Sequence, residues 1–196
     1  MHRPLFRIGI CSLLALGLAG LGSCESYERV HPRTKSATMD TGDAEVLATL
    51  VAVDENEIAL AEQARDEAGD VAVLGYADML HTEHTQHLEA TRDLAKTIGV
   101  EPALTPEVSD LRQKGDEERE TLGHAEGADY DRKYVDAMVK GHQDVLDLID
   151  EHLVAKVSSP ALKDHLEETR RHVAHHLERA QELQRALGSP TSATVK

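Results

Sequence analysis

The chain has no tryptophan, one phenylalanine and four tyrosines in 196 residues. So few aromatic rings exclude the base-stacking platforms that hold single-stranded nucleic acid, and they leave little to wall a haem pocket. Basic residues are also scarce, with 21 Lys and Arg against 36 Asp and Glu and a formal net charge of −15. A phosphate backbone is bound through a basic face, so nucleic acid is excluded as a partner. Long β-branched runs are missing too, while Ala, Leu, Glu, Asp and His abound, which is the composition of an all-α domain. The motifs of common hydrolases are absent: there is no nucleophile elbow, no histidine-glutamate zinc-protease motif and no glycine-rich phosphate loop. The balance of these absences is against an enzyme.

Cysteine is nearly absent, and the position of the two that occur is informative. "MHRPLFR" is a positive start, "IGICSLLALGLAGLGS" is an apolar run too short for a comfortable membrane span, and Cys24 follows directly after "LGS". Together these read as a signal peptide over residues 1–23. "LGSC" resembles the bacterial lipobox, in which the cysteine is lipidated and the signal is removed just before it. The resemblance implies a lipid anchor on Cys24, an exported chain and an envelope location, the outer membrane ahead of the inner. Cys11 would leave with the signal, so no intramolecular disulfide is expected, although the compartment is oxidising.

Residues 24–42 are polar, lack periodicity and contain Pro32 and Gly42, which suits a flexible tether. Residues 188–196, "GSPTSATVK", read as a frayed tail. Between them, over residues 43–187, helix signals follow one another. Asp43 is a candidate cap for a first helix ending near Gly69, and Asp70 for a second ending at Gly99. Thr105 and Pro106 start a short, highly charged helix. A third long helix covers about 129–156, and Ser159 and Pro160 start a fourth. Two tight links and one connection of about 30 residues give a ferritin-like four-helix bundle with one long crossover carrying a short extra helix.

The apolar stripes of these helices are interrupted by ionisable residues. "HTEHTQH", residues 81–87, places His84 a heptad after Ala77 and His87 a heptad after Leu80, on the buried face of the second helix. Glu83, with Asp78, Glu89, Asp93 and Lys96, is expected on the outward face. Glu57 interrupts the stripe of the first helix, His142 that of the third long helix and His176 that of the fourth. All four stand at similar depth, within about one turn at ~1.5 Å per residue, so the expectation is one central layer of a carboxylate and three imidazoles.

Two readings of that layer stay open. Glu57, His84, His142 and His176, with His87 and His172 as secondary ligands, form a donor set for zinc, iron, copper or manganese. Alternatively, the layer is a hydrogen-bonded polar seam that fixes helix register in a structural or stress-related envelope protein, one that contacts other envelope components through its acidic surface. A ferritin di-iron centre would need Glu-x-x-His on two helices, and no histidine of the long helices has Glu three residues before it. Iron oxidation is therefore not expected. Glu168, His172 and His176, spaced by four, are a further chelating possibility near the surface.

"AEVLATLVAVDENEIALAEQA", "YADMLHTEHTQHL", "YDRKYVDAMVKGHQDVLDLI" and "HHLERAQEL" together resemble a family of exported bacterial proteins with a ferritin-like domain of unknown function, described as predicted outer membrane proteins. That family usually has Asp where this chain has Glu83, and an aromatic near the start of its first helix that "DAEVLATL" lacks. The resemblance implies a helical bundle and export, and it assigns no reaction.

Overall fold

The structure, a computed structural model, describes residues 41–188. The expected signal peptide, Cys24, nearly all of the tether and the tail beyond Gly188 lie outside the described residues. Five α-helices account for most of the described chain: α1 (Thr41–Glu67), α2 (Val71–Ile98), α3 (Pro106–Leu122), α4 (Ala128–Leu148) and α5 (Pro160–Gly188). The fold is an all-α bundle. Among the described residues no helix is long and apolar enough to cross a membrane.

Local chemistry explains most of the boundaries. The Asp70 carboxylate accepts from the backbone N–H groups of Ala72 and Val73, which starts α2, and Gly99 ends it in the left-handed region at φ 69°. The Thr105 hydroxyl accepts from Val108 N–H, and Pro106, which has no N–H to satisfy, opens α3. After Leu148 the chain continues through a π turn (Ile149–Leu153) and a 3₁₀ turn (Val154–Lys156).

Asp43 departs from expectation. It lies inside α1, which begins at Thr41, and its buried carboxylate accepts from Ser158 N–H, Ser158 Oγ–H and Ser159 N–H. It therefore ties α1 to the segment that leads into α5. Asp131, near the start of α4, does the equivalent at the other end by accepting from Gly69 and Asp70 N–H in the α1–α2 turn. Each buried carboxylate is satisfied by backbone donors that otherwise have no helical partner.

These clasps also define the topology. Helices α1 and α2 form a hairpin, as do α4 and α5, and the chain between the hairpins returns along the length of the bundle as α3. It starts beside the beginning of α1, where Ala103 N–H donates to Ala44 O, and runs along it. Asn56 Nδ2 donates to Leu111 O and Gln63 Nε2 to Arg119 O. Gly115 makes this close approach possible, because a Cβ there would stand 2.3 Å from Asn56 Cγ.

The apolar core has two large clusters, besides a small one of Ala48, Ala52 and Val108 between α1 and α3. Leu60, Ala64, Val73, Tyr76, Leu80, Tyr134, Met138 and Ala180 belong to one cluster, and Val46, Leu50, Ala95, Ile149, Leu162 and Leu166 to another. On each long helix the interval between the clusters is polar: Asp54 and Glu57, His84, His142, and Thr169 with His176 are all buried there.

Substituting Gly115 by Ala forces Asn56 away from Leu111 O or separates α3 from α1. The expected outcome is a loss of ~1–3 kcal/mol in urea denaturation, typical of an overpacked contact. An unchanged midpoint would show that Asn56 swings aside without cost.

Candidate metal centre

The polar layer is assembled one side chain per helix. His84 from α2, His142 from α4 and His176 from α5 are 5%, 1% and 2% exposed, and one nitrogen from each lies within 4.8 Å of the other two. Their ring centroids are 6.2, 5.1 and 5.4 Å apart for the pairs 84–142, 84–176 and 142–176. Among the described residues this is the one set of three ligating side chains drawn so closely together.

Each ring has one nitrogen engaged and one left over. His84 Nδ1 is 2.9 Å from Asp54 Oδ1, His142 Nδ1 is 2.8 Å from Met138 O, and His176 Nε2 is 2.8 Å from Glu83 Oε2. A carbonyl or an ionised carboxylate only accepts, so the engaged nitrogen of each ring carries the hydrogen. In a neutral ring the other nitrogen then presents a bare lone pair. Those other atoms, His84 Nε2, His142 Nε2 and His176 Nδ1, are buried and have no hydrogen-bond partner. Lone pairs cannot hydrogen-bond one another, so when all three rings are neutral they together offer an acceptor site and no donor.

Glu57 adds a carboxylate from α1. It does not enter the close group of three, but its charge acts on His84 and His142, and its Oε2 is likewise buried without a partner. The same charge reaches the hydroxyls of Tyr76 and Tyr134. Tyr76 satisfies its own by donating to His176 O, whereas the buried Tyr134 hydroxyl has no partner, and burial raises its pKa well above the ordinary phenolic value.

The three histidines differ in proton affinity. Burial lowers His142, and Glu57 only partly opposes this. Burial pushes His176 down to about 4 against the opposing effect of its hydrogen bond to Glu83. His84 is buried as well, but its hydrogen bond to Asp54 and the charges of Glu57, Asp54 and Glu83 prevail and raise it. Asp54 itself is lowered: its hydrogen bonds to His84 and His87 outweigh the effect of burial.

Two residues of this arrangement depart from the sequence reading. Glu83, expected on the outward face of α2, is half-buried and orients His176, because α5 packs closely enough for its imidazole to reach across. Asp54 was not singled out in the sequence at all, yet it is buried and holds both His84 and His87. Its signal was its spacing, four residues after Leu50 and three before Glu57 on the α1 stripe, but an acidic "DENE" run reads more readily as solvated.

The secondary candidates lie outside the close group. His87 has both nitrogens engaged, with Asp54 Oδ2 at 2.8 Å and Thr169 Oγ1 at 2.6 Å, and His172 is exposed. Glu168, His172 and His176 do not assemble a chelate, because His176 turns into the core. Two openings approach the layer. A cleft of about 410 Å³ between α1, α3 and α4 reaches Glu57 beside Gly141. A void of about 20 Å³, room for a single small species, is lined by Asp54, Glu83, His84 and His176 among others.

The fold and site define a class: an all-α bundle with a buried, histidine-rich polar layer. The chain belongs to the family described as domain of unknown function DUF4142, which matches residues 29–183. No curated protein and no solved structure matches it.

The shifted histidines give stability a defined pH dependence. His142 and His176 stay neutral in the folded protein while the unfolded chain takes up protons near the ordinary value of 6.5, so each subtracts stability as pH falls below it, His176 down to about 4. His84 works the other way, but its gain is complete once pH has fallen to 6.5, so it does not offset the loss below that point. Urea denaturation of the metal-free protein should show stability dropping from pH 6.5 toward 5, by ~1.4 kcal/mol per pH unit for each fully shifted histidine. A flat profile over that interval would contradict buried neutral imidazoles.

Proposed function

We propose that this protein is a lipid-anchored bacterial envelope protein whose ferritin-like bundle binds one transition-metal ion through His84, His142 and His176, with Glu57 as an additional carboxylate ligand. The observation that carries the reading is the set of four buried atoms without partners, three imidazole nitrogens and Glu57 Oε2. A polar seam that served packing alone would pair its own groups, because a buried unpaired polar atom costs ~1–3 kcal/mol. A cation meets the requirement of the three nitrogens at once, and Glu57 Oε2 joins it by swinging toward them.

The surroundings support the same reading. Ligating histidines ordinarily donate their second ring N–H to a carboxylate or a carbonyl, and here Asp54, Met138 O and Glu83 accept in that way. Two nitrogens on one tetrahedral ion, each at about 2.0–2.1 Å, stand about 3.4 Å apart, so the present grouping within 4.8 Å closes by side-chain rotations of up to about 1.4 Å. Imidazole and carboxylate donors suit zinc, iron, copper or manganese. Lipidation at Cys24, and an outer-membrane location, rest on the sequence around "LGSC".

Elemental analysis of the domain purified without chelator and incubated with each of these metals should find about one ion per chain. His142→Ala should abolish that content, and protein free of metal in every case would overturn the reading. Asp54→Asn keeps all ligands but removes the carboxylate that aligns His84. Its expected effect is a loss of about 10- to 100-fold in metal affinity, measured by chelator competition, with the fold retained by circular dichroism.

A further inference from the structure

A second feature lies directly above the buried histidines. The groove between α2 and α5, about 430 Å³, is lined by Glu83, His87, His165, Glu168 and His172, together with Gln86 and Ala90. Five of these seven residues carry imidazole or carboxylate groups that can bind cations. Glu168 and His172 are exposed at its outer edge, and neither is held in a hydrogen bond or ion pair. The groove shares Glu83, His87 and His172 with the 20 Å³ void beneath it, and that void is also lined by His84 and His176. Donor groups thus follow one another from solvent to two of the unpartnered nitrogens.

The opposite opening has a different character. The cleft that reaches Glu57 is walled by Val53, Leu60, Met138 and Val145, and Lys114, Glu117, Glu118 and the paired Lys140 and Asp144 also line it. That cleft offers carboxylates but no imidazole, and it reaches Glu57 and none of the three buried histidines. Through the α2–α5 groove each water lost can be replaced by an imidazole or a carboxylate. In a strongly acidic protein the groove also lies in a field that draws cations toward it.

We infer that the groove between α2 and α5 is the loading path of the buried centre. A divalent transition-metal ion is captured by Glu168 and His172 at the outer edge, passes Glu83 and enters the void beside His84 and His176. Glu168 and His172 serve as a transient station and not as final ligands. The inference rests on the metal reading above, and the test separates the two.

Zinc uptake from a fluorescent zinc indicator, followed by stopped flow, measures the path, and the zinc bound at equilibrium measures the site. The double variant Glu168→Gln/His172→Gln changes exposed, unpaired side chains and should fold normally. Its uptake should slow by about tenfold or more, with the same zinc content at equilibrium, while Lys114→Ala in the opposite cleft leaves the rate within twofold of the parent. Unchanged uptake in the double variant, with full zinc content, would overturn the path and leave the site standing. Loss of equilibrium zinc in the double variant would also overturn it, by making these residues ligands. A parent protein that binds no zinc at equilibrium would overturn both.

Discussion

Three grouped imidazoles that each donate one ring N–H and leave the other nitrogen buried without a partner are the constraint around which the rest of this bundle is arranged. The outward acceptors, Asp54, Met138 O and Glu83, come from α1, from α4 itself and from α2, so the orientation of each ring depends on the packing of a particular helix. Moving any one of them would release a tautomer and with it the acceptor character of the site. The cost of keeping unpartnered polar atoms in a dry interior explains why the layer lies between two apolar clusters that hold the helices from both sides.

The ends of the bundle keep this middle in register. Asp43 binds the start of α5 to α1, and Asp131 binds the α1–α2 turn to α4, each through a buried carboxylate that accepts backbone N–H groups. Helix α3, seated on α1 through Asn56, Gln63 and the bare backbone of Gly115, lies over the side on which Glu57 emerges. The layer consequently has two unlike faces. One is a cleft at Glu57 whose lining has carboxylates but no imidazole, and the other is a groove above His84 and His176 lined by both. That asymmetry follows from the topology, since the crossover helix covers one side of the bundle and leaves the α2–α5 side free.

Much of this could be read along the chain. Periodicity places Glu57, His84, His142 and His176 on buried faces, because a bundle helix repeats its stripe every three to four residues and an ionisable residue within it stands out. Caps at Asp70 and Thr105 follow from local hydrogen bonding between a side chain and the next turn. Asp43 shows the limit of that approach. Its residue type suits a helix start, yet the donors it accepts from lie more than a hundred residues away. Glu83 shows the same limit from the other side, since an acid between two buried positions reads as outward until a neighbouring helix brings His176 within reach.

What the sequence determined by itself is therefore the all-helical architecture, the long connection between two hairpins, and the residues that interrupt the apolar stripes, for each of these depends on neighbours within a few turns. Only the tertiary structure decided that Asp54 and Glu83 orient the histidines, that His87 is fully engaged elsewhere, and that three closely grouped rings each keep one nitrogen buried and without a partner. Those facts depend on distances between helices, and no local pattern records them. The family's name leaves its role undefined.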